Sequence, residues 1–186
     1  MSRNDDRKWK VLKSEYLAQE PWFTVRRDHV ELPNGNQIKD YYVYEYPDWV
    51  NVIAITKDKK FVMVKQYRHG LGVTAMELCA GVAEDYDPSP IISAQRELLE
   101  ETGYGNGYWS EFMVISANPG TNTNTVYCYV ATDVEKVMEQ HLEPSEDITV
   151  HLLSLDEVIE LLQNNGMVQA TQVAPLWKYI AENHLM

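Results

Sequence analysis

The chain is short of cysteine, with only Cys79 and Cys128 in 186 residues. Two thiols are too few for a disulfide scaffold and fit a reducing compartment, so a cytoplasmic protein is expected. Also missing is any apolar run near the ~20 residues that cross a bilayer. Residues 1–20 are charged and polar without an apolar centre, so no signal peptide is expected either. Basic residues are scarce, 16 Lys and Arg against 28 Asp and Glu, for a formal charge of −12. That balance argues against a non-specific nucleic-acid or anionic-membrane surface. It leaves room for a small anionic substrate wherever a local cation neutralises the site. Internal repeats and long low-complexity segments are absent as well. What is present, 45% hydrophobic and 24% charged residues, is ordinary for a globular protein. A chain of this length suits one compact domain with a small appended sheet.

Residues 10–18 and 22–32 read as strands rich in Val, Tyr, Phe and Thr, with Trp22 and Phe23 opening the second. Pro33-Asn34-Gly35-Asn36 is a hairpin signal, because Asn-Gly favours left-handed turn conformations. The return strand is 38–46, carrying Tyr41, Tyr42, Tyr44 and Tyr46. Residues 50–56 and 61–67 predict a second hairpin across 57–60, and their near-continuous apolar character implies burial. Further strands are expected at 73–80, 109–116 and 123–132, then an acidic irregular stretch at 133–146 and a strand at 147–155. Ser154 and Glu157 have capping-box spacing and open a helix to about residue 164; a last helix covers about 170–183. The expected fold is an α/β/α sandwich with a mixed sheet over 49–186, preceded by an N-terminal antiparallel β-sheet over 1–48.

The central element is the helix at 89–104. Ser89 suits the N-cap, Pro90 the first helical position, and Gly103 the left-handed residue that ends a helix. Ile91, Ala94 and Leu98 form an apolar stripe flanked by Leu99, and the other face carries Arg96, Glu97, Glu100 and Glu101. Those charges are badly placed for stability. Glu97 stands three and four residues from Glu100 and Glu101, so three carboxylates share a surface and each like-charged neighbour costs a few tenths of a kcal/mol. Glu100 and Glu101 also sit in the last turn, where the helix dipole disfavours anions by roughly 0.3–1 kcal/mol. Arg96 reaches Glu100 only in the weaker orientation. Two readings follow: a solvated acidic face, or converged oxygens for a hard divalent cation such as Mg²⁺ or Mn²⁺.

Arg96-Glu97-Leu98-Leu99-Glu100-Glu101-Thr102-Gly103-Tyr104 resembles the second half of the Nudix box. That signature belongs to hydrolases that cleave nucleoside diphosphates linked to another moiety. Glu77-Leu78-Cys79-Ala80-Gly81 resembles the start of the same box. The family pattern has five residues between the first glycine and an acidic residue, then seven before the arginine. Counting from Gly81, the acidic residue is Asp87 in place of the usual Glu, and eight residues precede Arg96. The loop is thus one residue longer. The resemblance implies that Glu97 and Glu101, with the Ala80 carbonyl, hold Mg²⁺ (Mn²⁺ as the substitute). It implies that Glu100 shares a second ion or orients water, and that Arg96 keeps the carboxylates in place.

The N-terminal aromatics add to this. Sheet packing accounts for any single one; jointly they also suit a dimer surface or a base-stacking platform. The arrangement resembles the ADP-ribose and nucleotide-sugar branch of the family, whose N-terminal sheet makes a homodimer and supplies aromatics that sandwich the base. Trp22 is the first candidate for that contact and Tyr41 the second. Lys65-Gln66-Tyr67-Arg68 resembles the branch's glutamine–aromatic–arginine segment, which puts Arg68 at the diphosphate; the competing reading is a surface ion pair. Pro119, 16 residues beyond Gly103, resembles the proline that marks ADP-ribose hydrolases, and Gly120 beside it would admit substrate close to the backbone. Pro144-Ser145-Glu146-Asp147-Ile148 resembles the mobile loop that brings a glutamate to the catalytic water, with Glu146 as base and Glu143 and Glu100 as rivals.

The implied activity is Mg-dependent hydrolysis of the pyrophosphate bond of ADP-ribose or a related nucleotide-sugar, giving a nucleoside monophosphate and a sugar phosphate. GDP-mannose or another nucleotide-sugar is the alternative, since stacking aromatics accept any base and Thr121 replaces the usual second glycine after Pro119. An alternative of another class is a non-catalytic domain that senses ADP-ribose; such a domain would normally have lost box glutamates or gained a basic DNA-binding appendage. A hydrolase of oxidised nucleoside triphosphates is a further alternative, against which the extra N-terminal sheet argues.

Overall fold

The computed structural model describes residues 7–186. They form two compact units, one comprising the chain up to residue 46 together with 118–124, the other 47–117 together with 125–186. In the first, strands β1 (Lys10–Glu20), β2 (Phe23–Glu31) and β3 (Gln37–Glu45) make an antiparallel sheet in the order β1-β2-β3. The β2–β3 turn closes as its Asn-Gly chemistry dictates: Gly35 has φ 85° and Asn36 N–H donates to Asn34 Oδ1 at 3.0 Å. Trp22, expected on a strand, instead lies in the tight turn between β1 and β2 with φ 64°. The segment 118–124 pairs with β3 through Tyr44 N–H to Thr121 O (2.8 Å) and Thr123 N–H to Tyr44 O (3.1 Å).

The second unit is built on β4 (Trp49–Thr56), β5 (Phe61–Arg68), β6 (Val73–Val82), β7 (Tyr104–Gly105), β8 (Tyr108–Ile115), β9 (Val126–Lys136) and β10 (Thr149–Leu153). Its sheet runs β10-β5-β6-β4-β9-β7, with β8 also on β9. β4 and β9 are parallel and the remaining pairs antiparallel, so the sheet is mixed. The helices are α1 (Pro90–Thr102), α2 (Leu155–Gln163) and α3 (Ala170–Glu182). The period-2 alternation of β4 explains the layers. Val50, Val52 and Ala54 pack with Ala94 and Leu98 of α1, whereas Ile53 and Ile55 pack with Val158 and Leu162 of α2 and Leu176 and Ile180 of α3. The expected sandwich of mixed sheet between helices is what forms. Among the described residues no helix is long and apolar enough to cross a membrane.

Three details differ from the sequence reading. The 50–56/61–67 hairpin pairs only beside its turn, at Ala54–Val62 and Ile55–Phe61. Beyond that the strands part and β6 enters between them, bonding β5 through Met63–Arg68 and β4 through Trp49–Val52. At the parting, Leu78 N–H is taken by the side chain of Gln172, 2.9 Å away on α3. Second, β9 continues to Lys136 by bulging out Asp133, at φ 59°, so 133–136 is strand rather than irregular. Third, Ser89 occupies the N-cap position of α1 with extended backbone, but its hydroxyl makes no capping bond.

Helix α3 tolerates Pro175 in its interior for an identifiable reason. The missing N–H leaves the Thr171 carbonyl without its helical partner, and buried Asn51 donates to that oxygen at 2.8 Å.

Candidate active site

Helical spacing places Ser93, Ala94, Glu97, Leu98, Glu101 and Thr102 on the inward side of α1, and all are buried. Of the two readings of this acidic face, the solvated one therefore fails for two of its three glutamates. Glu97 and Glu101 are buried, and only Glu100 is substantially open to solvent. What receives them is the end of β6. Ala80 N–H donates to Glu101 Oε2 at 3.2 Å, and the buried Cys79 thiol is a second partner of that carboxylate. Gly81 leaves the space that the Glu97 carboxylate fills, since a Cβ there would displace that carboxylate.

Burial pushes Glu97 up to about 7; Arg96 opposes the shift, while Glu100 and Glu146 add repulsion. Burial pushes Glu101 up to about 8, with Cys79 and the Ala80 N–H opposing and Glu97 and Glu146 adding to it. Arg96 joins the acids. Nη1 donates to Glu97 Oε1 at 2.9 Å and Glu100 Oε2 at 3.0 Å, Nε to Asp87 Oδ2 at 3.1 Å, and Nη2 to the Val82 carbonyl at 3.3 Å. Burial works against its charge, but the surrounding carboxylates outweigh that and hold it protonated. The box loop, although one residue longer, still delivers Asp87 to the arginine. Tyr86 of the same loop lies with its ring 5.7 Å from the guanidinium.

Arg68 is expected at a diphosphate, with a surface ion pair as the rival. It is paired, but with a buried partner: Nε donates to Glu77 Oε1 at 2.7 Å and Nη2 to Oε2. Glu77 is 1% exposed and also accepts from Gln172 Nε2 at 3.3 Å. Glu77 and Gln172 were missed as supports of Arg68. A lone carboxylate in the apolar run Ala75–Ala80 was a usable signal, since a buried charge needs a partner. Gln172 gave none, because it comes from a helix some hundred residues away in sequence.

Glu146 is half-buried on the segment between β9 and β10, and its charge adds to the upward shift of both Glu97 and Glu101. Its carboxylate accepts Glu143 N–H at 2.8 Å, and its own N–H donates to Glu143 O at 2.9 Å. Glu143 itself is exposed. Ala80, Glu97, Glu100, Glu101, Arg96, Arg68 and Glu146 thus all belong to the second unit. Trp22, Tyr41, Pro119 and Gly120 belong to the first. Trp22 is 61% exposed, and the Tyr41 hydroxyl donates to the Gly120 carbonyl, joining two of the expected substrate residues. Tyr41 also meets Trp9 edge-on at 5.4 Å. Pro119 and Gly120 are exposed; an added Cβ at Gly120 would meet only Asn118 Oδ1, at 3.5 Å, so nothing in the fold itself demands glycine there.

The donors offered by Glu97, Glu100, Glu101 and the Ala80 carbonyl are hard oxygens. The negative charge of that cluster, with Asp87 and Glu146 beside it, exceeds what Arg96 neutralises. Together with the glycine that leaves room for Glu97, this donor set fits a hard divalent cation. Among the described residues no three His, Cys, Asp or Glu side chains are already gathered about one cation position. Glu97 and Glu100 are instead drawn to Arg96.

Comparison with known proteins points the same way. A family model described as the NUDIX domain matches residues 45–174, and one described as the nucleoside diphosphate sugar hydrolase N-terminal domain matches 9–44. The methanol dehydrogenase activator of Bacillus methanolicus is 33% identical over 165 residues, 88% of each chain. An ADP-ribose pyrophosphatase of Bacillus subtilis is 32% identical over 168 residues, 87% of this chain and 89% of that one. A crystal structure of an ADP compounds hydrolase superposes with a TM-score of 0.81 over 95% of this chain and 96% of its own, at 23% identity, a likeness of fold.

Proposed function

Because the chain belongs to the Nudix family and is one of its pyrophosphohydrolases, we propose that it cleaves the diphosphate of ADP-ribose or a closely related nucleotide-sugar in an Mg²⁺-dependent reaction. The products are a nucleoside monophosphate and a sugar phosphate. The observation that carries this reading is the pair of buried, protonation-prone carboxylates, Glu97 and Glu101, crowded against the end of β6 beside Ala80 and Gly81. Such a pair is costly to the fold and is compensated when a divalent cation arrives.

In the reaction, water adds to one phosphorus as the bridging P–O bond breaks. Glu97, Glu101 and the Ala80 carbonyl would hold Mg²⁺, with Glu100 at a second ion; the cation neutralises charge that builds on the phosphate oxygens. Arg96 restrains the carboxylates through its bonds to Glu97, Glu100 and Asp87. Arg68, its plane set by Glu77, donates to the diphosphate. Glu146 takes the proton of the attacking water, which requires it to leave the Glu143 N–H. Trp22 and Tyr41 stack on the base, with Pro119 and Gly120 beside it, and two chains join through the N-terminal sheets.

Initial rates with ADP-ribose, GDP-mannose, a diadenosine polyphosphate and nucleoside triphosphates, each in Mg²⁺, test the reading. ADP-ribose is expected to give the highest kcat/KM. If GDP-mannose leads, the base and sugar are wrong but the chemistry stands; if only triphosphates turn over, the proposal is lost. The three intact glutamates speak against a purely sensing domain.

A further inference from the structure

An α-helix leaves its last carbonyls without helical partners, and something must satisfy them. At the end of α1 that role falls to the last residue of β9 and the segment following it. Val137 and Met138 N–H groups donate to Gly103 O at 2.9 and 3.2 Å, Lys136 Nζ to Thr102 O at 3.3 Å, and His141 N–H to Glu100 O at 2.9 Å. Gly103 permits this approach, since a Cβ there would collide with the Met138 carbonyl. The remaining carbonyl, that of Glu101, is taken by the side chain of Gln140, whose Nε2 lies 2.6 Å away. The same Nε2 lies 3.2 Å from the carbonyl of Ile148, at the far end of the loop that bears Glu146. Both partners are acceptors, so only the NH₂ side of the amide can face them.

We propose that Gln140 is a positioning residue. By bonding Glu101 O and Ile148 O at once, its amide closes the neck of the 141–147 loop and fastens it to the turn of α1 that carries Glu100 and Glu101. The loop can then move only between two fixed ends, and Glu146 is delivered to one place. No other side chain bridges the two ends among the described hydrogen bonds. The proposal rests on the reading of Glu146 as the base. Gln140 touches neither metal nor substrate and acts through Glu146.

The test is a double-mutant cycle on ADP-ribose hydrolysis in Mg²⁺, using Gln140→Leu, Glu146→Gln and the double variant. Gln140→Leu is expected to lower kcat by about 10- to 100-fold with KM within about twofold, as a misplaced catalytic group does. In the Glu146→Gln background the same change should cost nothing further. Hydrogen exchange should quicken at the amides of 141–148 and stay slow within α1. If Gln140→Leu does not fold, Gln140→Asn replaces it, keeping the amide but one methylene short of both carbonyls. Penalties that multiply in the double variant, or a full rate for the Gln140 variant while Glu146→Gln is crippled, overturn the role of Gln140 alone. A full rate for Glu146→Gln overturns the base assignment and the present proposal with it.

Discussion

Glu101 is 3% exposed, and its carboxylate has one backbone donor and one thiol for company. That is weak compensation for a charge taken out of water. Glu101→Gln fixes the neutral state that burial already favours while keeping an oxygen for Ala80 N–H. The metal-free melting temperature is therefore expected to stay level or rise, while hydrolysis in saturating Mg²⁺ falls by more than the roughly 10–100-fold typical of an outer-shell residue. Near-normal turnover would remove Glu101 from the metal site. The pH dependence follows from the same burial. Glu97 and Glu101 keep their protons to about 7 and about 8, above the ordinary 4.5, so the folded protein binds more protons than the unfolded chain across that interval. This contribution is fully present below 4.5 and is lost as the pH rises through about 7 and 8. Melts in a chelator from about pH 5 to about 8.5 should show a falling Tm, and Mg²⁺ should flatten the fall by favouring the deprotonated acids. A metal-free Tm that climbs over this window would contradict the assignment of both groups.

Among the elements, α1 was the most legible, because Pro90 and Gly103 mark its ends by backbone chemistry that needs no tertiary context. The 33–36 turn was legible for the same reason. The entry of β6 between β4 and β5 was not, since a strand's neighbours are chosen by pairings distant in sequence, and adjacent apolar strands read equally well as a simple hairpin. The burial of Glu97 and Glu101 was hidden too: three acids on a helix look solvated until Gly81 opens a space for one of them. For the loop between β9 and β10, Glu146→Gln is expected to cut kcat by about 10²–10⁴-fold with little change in KM. Glu143→Gln changes the same charge on an exposed neighbour and should leave the rate near that of the wild type. A crippled Glu143→Gln with an active Glu146→Gln would move the base along the loop; two active variants would shift it to Glu100.

For the whole molecule, the N-terminal sheet has an unfinished surface. Val11 (56% exposed), Leu17 (49%), Trp22 (61%) and Phe23 (54%) lie on or beside β1, an edge strand exposed along almost its entire length. Apolar edges of this kind are normally covered, and a homodimer through the 10–46 sheet is the expected cover. Sedimentation equilibrium should give twice the chain mass at micromolar concentration, and a monomer there would discard the idea. The segment 118–124 falls within the Nudix half of the sequence yet folds with the N-terminal sheet, strapped to β3 at Tyr44 and to Tyr41 through Gly120. A truncation at residue 46 would consequently leave 118–124 without the Tyr44 backbone and the Tyr41 hydroxyl that hold it, so removing the sheet also unties a loop more than seventy residues downstream.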